Sequence, residues 1–155
     1  YAIGAKFIRI NVFVGARLTD QGIIEGSAWQ IQREKKQYMQ DLSILADVGV
    51  KHSTPIGTSE IENEAMDADN RGFADGLIIS GDETGKSASL EDINKIKKAA
   101  PKKPIYVGSG LNGENAKELL KVADGAIVGT SIKKGGITHN PVSLQRVLDI
   151  VSRSL

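Results

Sequence analysis

Short apolar segments alternate along the chain with longer amphipathic ones. Five segments have the apolar, β-branched composition of strands: Phe7–Phe13, Ile44–Val50, Gly76–Ser80, Ile105–Val107 and Ala126–Val128. Each is followed by a loop and then by a stretch with the period of an α-helix. Successive strands begin 37, 32, 29 and 21 residues apart. This spacing predicts repeated βα units, because a unit of an eight-stranded barrel takes about 30 residues.

Polar capping residues mark the expected starts of most helices. These signals are Ser59 with Glu62 in a capping box, Ser89, Asn112, and Asn140 followed by Pro141 at a first helical position. The first helix has no such signal and is predicted over Trp29–Met39 from a weak apolar stripe. A helix is therefore expected after every predicted strand.

Five βα units are too few to close an eight-stranded barrel. The chain opens at Tyr1–Lys6 with what reads as the end of a helix entering a strand, so we expect further βα units upstream. We predict that residues 1–155 form a single α/β domain, the C-terminal part of a TIM (β/α)8 barrel that lacks its N-terminal units. The alternative is a five-stranded doubly wound parallel sheet, which also places parallel strands between helices.

Two glycine turns follow the last two predicted strands, with Gly108 and Gly129 standing 21 residues apart. A strand that breaks into glycine and small hydroxyl residues exposes backbone N–H groups, so two such turns side by side can surround a phosphate. In (β/α)8 barrels a phosphate site is often built from the loops after the last two strands. The predicted phosphate-binding residues are Gly108, Ser109, Gly110, Gly129, Thr130 and Ser131.

Alternation along the first two strands predicts polar side chains on the face that lines the barrel interior. The inward positions are Phe7, Arg9, Asn11 and Phe13 on the first strand, and Leu45, Asp47, Gly49 and Lys51 on the second. Arg9 and Asp47 are expected to pair, because an interior charge is costly without a partner or a ligand. The pair is either structural or part of a reaction centre. The candidate catalytic residues are Asp47, Lys51 (as base or Schiff-base nucleophile), Arg9 and Asn11.

The segment Gly15–Gly22 is longer and more polar than a βα connection requires. We predict a loop on the binding face that contacts a ligand, the alternative being a solvated lid without chemistry. Candidate contacts there and on the rim after the second and third strands are Arg17, Thr19, Asp20, Gln21, His52, Thr84 and Gly85.

Composition narrows the classes of partner. The chain has 20 basic and 19 acidic residues, so its net charge of +1 gives no field that favours nucleic acid or an acidic membrane. No apolar run reaches the roughly 20 residues that span a bilayer, and the lack of cysteine excludes disulfides and thiolate zinc sites. A cytoplasmic location is expected. Two histidines exclude a multi-histidine metal site; the carboxylates leave magnesium open, although no metal is required.

The segment Ser80–Ser87 is similar to a nucleotide P-loop but departs from it. The pattern G-x-x-x-x-G-K-[ST] needs glycine where Ser80 stands. Asp82 and Glu83 also set two carboxylates where the phosphates would bind, which is electrostatically unfavourable. A nucleoside triphosphatase is therefore a lesser alternative.

Taken together, these motifs resemble those of the BtpA/SgcQ family. The resemblance is carried by Phe7–Phe13, Thr19–Gly26, Ala46–His52, Thr84-Gly85, Val107–Gly110 and Asp124–Ser131, and it runs over essentially the whole chain. It implies a TIM barrel of the ribulose-phosphate-binding kind, of which this chain supplies strands four to eight. The family is associated with photosystem I biogenesis and with a sugar-phosphate gene cluster.

Two functions from different classes remain open. The first is an enzyme, such as an isomerase, lyase or hydrolase, that acts on a phosphorylated small metabolite of the sugar phosphate or nucleotide-like kind. The second is a non-catalytic biogenesis or assembly factor that works through its surface. Because an incomplete barrel exposes strand edges and apolar surface, the expected protein partner is a second copy or the missing N-terminal part of the barrel.

Overall fold

The computed structural model describes residues 3–50, 52–57, 60–81 and 88–154. In chain order the strands are β1 (Phe7–Ile10), β2 (Ala16–Thr19), β3 (Gly22–Glu25), β4 (Ser43–Val48), β5 (Ser53–Pro55), β6 (Gly76–Ile79), β7 (Ile105–Val107) and β8 (Gly125–Ala126). The α-helices are α1 (Ala28–Tyr38), α2 (Ile61–Asn70), α3 (Leu90–Ala99), α4 (Ala116–Leu119) and α5 (Leu144–Ser154). All five predicted strands are present, although most are shorter than predicted.

The main sheet is parallel and has the order β1-β4-β6-β7-β8. Each strand pairs with the next one in the chain that belongs to this sheet, and the direction of growth never reverses. A doubly wound sheet reverses its order at a switch point. The sequential order therefore excludes that alternative and is the order of strands in a TIM barrel.

A contact between β1 and the residue that follows β7 shows that the main sheet is curved. The Arg9 Nη1 on β1 lies 3.5 Å from the carbonyl oxygen of Gly108, directly after β7, although β4 and β6 lie between these strands. In a flat sheet three strand spacings would separate the backbones of the two residues by about 14 Å, which is farther than the side chain of Arg9 can reach. The sheet is therefore strongly curved, with Arg9 on its concave face, as in the wall of a barrel.

The hydrophobic core lies between the convex face of the middle strands and helices α2 and α3. Alternate residues of β4, β6 and β7 are fully buried here: Ile44, Ala46, Val48, Leu77, Ile79, Ile105 and Val107. They pack with Ala65 and Ala68 of α2 and with Ile93 and Ile96 of α3. This confirms the predicted outward positions of β4 as far as Val48, where the strand ends.

The two ends of the sheet are less well covered. Helix α1 buries no residue completely, and α5 buries only Ile150. Phe7, on the concave face of β1, is 57% exposed, and Leu144, on α5, is 72% exposed. Within the described residues, β1 and β8 each have one unpaired edge.

The inward position predicted for Phe13 is wrong. Strand β1 ends at Ile10, and the bends at 11–15 break the alternation. Phe13 is 1% exposed and packs in the core, where its ring would meet a Cβ added to Gly72 at 2.6 Å. Asn11, by contrast, is exposed in this bend.

The segment predicted as a polar loop forms part of a second sheet. Strands β2 and β3 pair as a hairpin, and β5 pairs with the other edge of β2. The hairpin turn is Asp20-Gln21, closed by the Thr19 hydroxyl, which donates to the Gly22 carbonyl at 2.9 Å and accepts from the Gln21 N–H. The segment is therefore an exposed hairpin of an accessory three-stranded sheet rather than an irregular loop.

Two of the helix predictions hold. The helix predicted over Trp29–Met39 is α1, and Ser89 caps α3 by accepting a hydrogen bond from the Asp92 N–H at 3.0 Å. The capping residue of α2 is Glu60, whose side chain makes no capping hydrogen bond. The capping box predicted from Ser59 falls outside the described residues.

The last two helices begin later than predicted. The Asn112 side chain accepts backbone N–H bonds in a turn, and α4 begins only at Ala116. Pro141 is not helical, because Val142 forms a β-bridge with Lys133 and α5 begins at Leu144. In both places an asparagine closes a turn before the helix rather than capping the helix itself.

Candidate functional site

The two glycine turns line one pocket at the carboxyl ends of β7 and β8. The pocket has a volume of about 410 Å³, and its lining includes all six predicted phosphate-binding residues, Gly108, Ser109, Gly110, Gly129, Thr130 and Ser131. Apolar contact comes from Leu111 and Ile127, and the one charged lining residue is Arg146 of α5. The structure thus brings the predicted residues together, while their role as phosphate ligands stays a prediction.

The pocket offers polar groups that are not used in the fold. Within the described residues, the backbone N–H groups of Ser109, Gly110 and Gly129 donate to no backbone carbonyl. The Ser109 hydroxyl is buried and has no hydrogen-bond partner there. Because unpaired buried polar groups are rare in folded proteins, these groups indicate a place for a polar ligand.

Side-chain hydrogen bonds tie the two turns to each other and to the chain around them. The Ser131 hydroxyl donates to the Leu111 carbonyl, which joins the second turn to the first. The Asn115 amide donates to the Gly110 carbonyl at 3.0 Å and holds the first turn, in which Gly110 has a φ of +74°. The Ser131 hydroxyl is therefore already engaged, whereas the N–H groups of Ser109, Gly110 and Gly129 donate to no backbone carbonyl among the described residues.

Arg9 and Asp47 form the predicted ion pair on the concave face. Nε and Nη2 of Arg9 donate to the two Asp47 carboxylate oxygens, each at 2.8 Å. The Asp47 side chain is 6% exposed and that of Arg9 is 31% exposed. These hydrogen bonds outweigh the opposing effect of burial and raise the pKa of Arg9 above its ordinary value. The pair is thus a fixed, charged element of the interior.

Gly108 connects the ion pair to the phosphate pocket. Its carbonyl accepts from Arg9 at 3.5 Å, and the residue itself lines the pocket. A Cβ at this position would lie 2.9 Å from the Arg9 Nη2, 2.8 Å from the Ser80 Oγ and 2.5 Å from Ile78. Only glycine fits here, and the interior charge and the pocket are therefore immediate neighbours.

The candidate contacts on the accessory sheet are separated from one another. Arg17 is 7% exposed and pairs with Glu64 of α2, whereas Asp20 and Gln21 form the exposed tip of the hairpin with Thr19 at its base. The alternation of β2 explains the burial, because Arg17 faces α2 while Leu18 faces away. Whether any of these residues contacts a ligand stays a prediction.

The remaining predicted site residues lie at the ends of β4 and β6. His52 is exposed and has a φ of +51°. Lys51, Thr84 and Gly85 lie outside the described residues, as do residues 82–87 of the segment similar to a P-loop. Among the residues that the structure covers, no three His, Asp or Glu side chains cluster as a metal site would require.

Sequence reasoning missed Arg146 and Ser80. Arg146 lines the phosphate pocket from α5, and Ser80 is 3.4 Å from Arg9 on the concave face. The sequence does contain one indication of a role for Arg146. Residues 125–148 contain no aspartate or glutamate, so no carboxylate close in sequence is available to pair with it. The contact between Arg146 and Ser131 could not be predicted, because the two residues lie 15 positions apart in the sequence.

The curved parallel sheet and the paired glycine turns define a protein of the TIM-barrel type. The chain aligns with 3-hexulose-6-phosphate synthase from Salmonella typhimurium with a TM-score of 0.65 and 17% identity, covering 99% of this chain and 63% of that one. It aligns with N-(5'-phosphoribosyl)anthranilate isomerase from Pyrococcus furiosus with a TM-score of 0.59 and 20% identity, covering 97% and 62%. These likenesses establish the fold alone.

The chain belongs to the BtpA family, whose model matches residues 1–154. It is 42% identical to the photosystem I biogenesis protein BtpA of Synechocystis sp. over 94% of this chain and 50% of that protein. It is 45% identical to an uncharacterised protein of Pyrococcus furiosus over 97% and 56%. An uncharacterised mitochondrial protein of Caenorhabditis elegans is 36% identical over 95% and 53%. The chain thus spans about half the length of the curated relatives it matches.

No helix within the described ranges is both long and apolar enough to cross a membrane.

Proposed function

We propose that this chain forms the phosphate-binding half of an enzyme that acts on a phosphorylated small metabolite. The observation that carries the proposal is the single pocket lined by both glycine turns, with unengaged N–H groups at Ser109, Gly110 and Gly129. Backbone N–H groups that converge on a concavity bind oxyanions. The names of the two aligned structures refer to compounds that carry a sugar phosphate, which is consistent with this substrate class.

The reacting part of the substrate would lie over the concave face. Gly108 touches both the pocket and Arg9, so a metabolite anchored by its phosphate extends toward the Arg9–Asp47 pair. There Arg9 can donate hydrogen bonds to a developing negative charge, and Asp47 can accept a proton. Isomerases, lyases and hydrolases of phosphorylated metabolites all use such groups.

Asp47→Asn separates a catalytic role from a structural one. The amide is nearly isosteric with the carboxylate and keeps one acceptor for Arg9, but it cannot take up a proton. We expect phosphate binding to persist and turnover to fall by at least about 100-fold, the usual contribution of a positioned acid or base. Retained turnover would remove Asp47 from the reaction.

A second candidate is a biogenesis factor that works through its surface. It is favoured by the 42% identity to a protein named for photosystem I biogenesis. The same family has members in Pyrococcus furiosus and Caenorhabditis elegans, neither of which is photosynthetic. A metabolic reaction accounts for that range more simply than a role confined to a photosystem.

The experiment that tests the proposal is a thermal-shift screen of the intact protein against sugar phosphates, nucleotides and their unphosphorylated counterparts. A ligand at about 100 times its dissociation constant stabilises the folded state by roughly 2.7 kcal/mol. We expect shifts that require the phosphate group. If no phosphorylated compound shifts the thermal unfolding transition, the proposal of an enzyme is abandoned in favour of a biogenesis factor.

Gly129 supplies a matched pair of variants for this screen. A Cβ there meets no atom within 4 Å. Gly129→Ala should therefore keep the phosphate-dependent shift, whereas Gly129→Asp brings a carboxylate into the pocket and should abolish it by charge repulsion. Equal shifts in both variants would argue against phosphate binding at this turn.

A further inference from the structure

Arg146 lies in the first turn of α5 and faces the pocket of the glycine turns. Its Nε donates to the Ser131 carbonyl at 2.7 Å, which fixes the plane of the guanidinium. Its Nη2 lies 3.5 Å from where a Cβ on Gly136 would be, so the group rests against glycine backbone. A guanidinium held through Nε keeps the N–H groups of both terminal nitrogens for a ligand.

Arg146 differs from four of the five other arginines in how its charge is balanced; the fifth, Arg33, stacks on the ring of Trp29. Within the described part of the chain, Arg9, Arg17, Arg71 and Arg153 each form an ion pair with a carboxylate. Arg146 forms none there, because Asp149, the acidic residue one turn along the same helix, pairs with Arg153 at 2.8 Å. The charge of Arg146 is therefore left uncompensated beside the pocket.

The surroundings of Arg146 add to this positive potential. No aspartate or glutamate occurs between Asp124 and Asp149, whereas Lys133 and Lys134 do. A cation in the first turn of a helix is also disfavoured by the helix dipole, and α5 has no acidic residue there to offset it. An arginine placed at such a cost is expected to have an anionic ligand.

We infer that Arg146 binds the substrate phosphate directly and makes the site selective for a doubly charged phosphate monoester. This inference rests on the proposed function and specifies its substrate class further. Backbone N–H groups accept singly and doubly charged oxyanions alike, but a guanidinium favours the second charge through charge-assisted hydrogen bonds. A phosphate monoester is largely dianionic above its second pKa of about 6. A sulfate monoester of the same shape carries only one charge.

Calorimetric titration of the intact protein with methyl phosphate and with methyl sulfate, at pH 8 and low salt, tests the inference. The wild type should bind methyl phosphate the more tightly. Arg146→Gln should weaken methyl phosphate binding by about 10- to 100-fold, the effect of losing a hydrogen bond to a charged group. Binding of methyl sulfate should change much less, so the preference for phosphate should collapse.

Two further variants make the result specific. Lys134→Gln removes one positive charge from the same segment without aspartate or glutamate and should change methyl phosphate affinity by less than about threefold, since Lys134 is exposed and is not among the residues that line the pocket. Arg146→Lys keeps the charge without the planar fork and should bind with intermediate affinity. Because Arg146 is exposed and makes a single hydrogen bond, the melting temperature of each Arg146 variant should stay close to that of the wild type.

The possible outcomes are distinguishable. Wild-type binding that is unchanged in Arg146→Gln overturns the inference and leaves the proposed function intact. Equal weakening in Arg146→Gln and Lys134→Gln overturns it as well, because the effect is then one of general charge. A wild type that binds neither probe overturns the proposed function together with the inference.

Discussion

Arg17 and Glu64 form an ion pair that joins the accessory sheet to α2. Arg17 also donates to the Ser53 hydroxyl at 2.7 Å and to the Val50 carbonyl at 3.4 Å, while Glu64 accepts from the Gly49 N–H at 2.8 Å. The pair thus holds the chain that follows β4 from two sides. Since Asp47 lies two residues before Gly49, this pair supports the neighbourhood of the interior charge.

Arg17→Ala is expected to lower the free energy of unfolding by about 3 kcal/mol. Removing one partner of a buried pair leaves the other charge uncompensated at a cost of about 3–5 kcal/mol, and the 17% exposure of the Glu64 side chain argues for the lower end. Urea denaturation measures this. The control is Arg71→Ala, whose pair with Asp67 on α2 is largely exposed and should contribute less than about 1 kcal/mol. Similar losses in both variants would contradict a special role for Arg17.

Gly108→Ala should destabilise the protein by about 1–3 kcal/mol, the usual cost of overpacking. The added methyl group would sit 2.5 Å from Ile78 Cγ2, which cannot move far because Ile78 is fully buried. Gly129→Ala, with open space around the new Cβ, should have little effect on unfolding in urea. Phosphate affinity should fall only in the first variant, since displacement of Arg9 and the first turn distorts the pocket. A wild-type stability for Gly108→Ala would show that the strand end can relax.

Arg9 is expected to contribute the same stability at every ordinary pH. Its pKa is raised in the folded state, chiefly by the hydrogen bonds with Asp47, so its contribution is complete below the unfolded-state pKa and is lost only as pH rises through the folded-state value. Both pKa values lie well above the pH range of the measurement. The difference in unfolding free energy between wild type and Arg9→Gln should therefore be constant from pH 6 to 10. A difference that shrinks over that range would contradict the charged pair.

The chain of residues 1–155, expressed alone, is expected to self-associate. Within the described residues β1 and β8 each leave one edge unpaired, and Phe7 on β1 is exposed. Open edges beside apolar side chains promote pairing between chains. Sizing chromatography with light scattering measures the mass. A stable monomer at high concentration would contradict the interpretation of these strands as part of a larger barrel.

Much of the main sheet could be predicted because its signals are local. The alternation of β4 separates Ile44, Ala46 and Val48 from Asp47, so burial on one face and pairing with Arg9 on the other both follow from a period of two. The accessory sheet could not be predicted in this way. Its strands are only three or four residues long, and the pairing of β2 with β5 depends on residues more than 30 positions apart.

The residues of the candidate site also fall into two groups, those that local sequence signals predict and those that depend on contacts between distant residues. The glycine turns can be recognised from their composition at the ends of two strands. Because neighbouring parallel strands end at the same edge of a sheet, the position of both turns in one pocket could be predicted. Arg146 lies on a different element, and its approach to Ser131 depends on the extended segment before α5, where Pro141 suggested a helix. The prediction for Phe13 was wrong for a related reason. A period of two predicts the face on which a residue lies only while the strand continues, and β1 ends at Ile10.

The sequential strand order also bears on how the chain folds. Each strand of the main sheet finds its hydrogen-bonding partner one βα unit earlier, so the loops that must close are short and their entropic cost is moderate. Assembly can proceed by accretion, with every new unit docking on a template already formed, including during synthesis on a ribosome. The two glycine turns belong to the last units added, so the phosphate pocket is completed only when the rest of the sheet is in place.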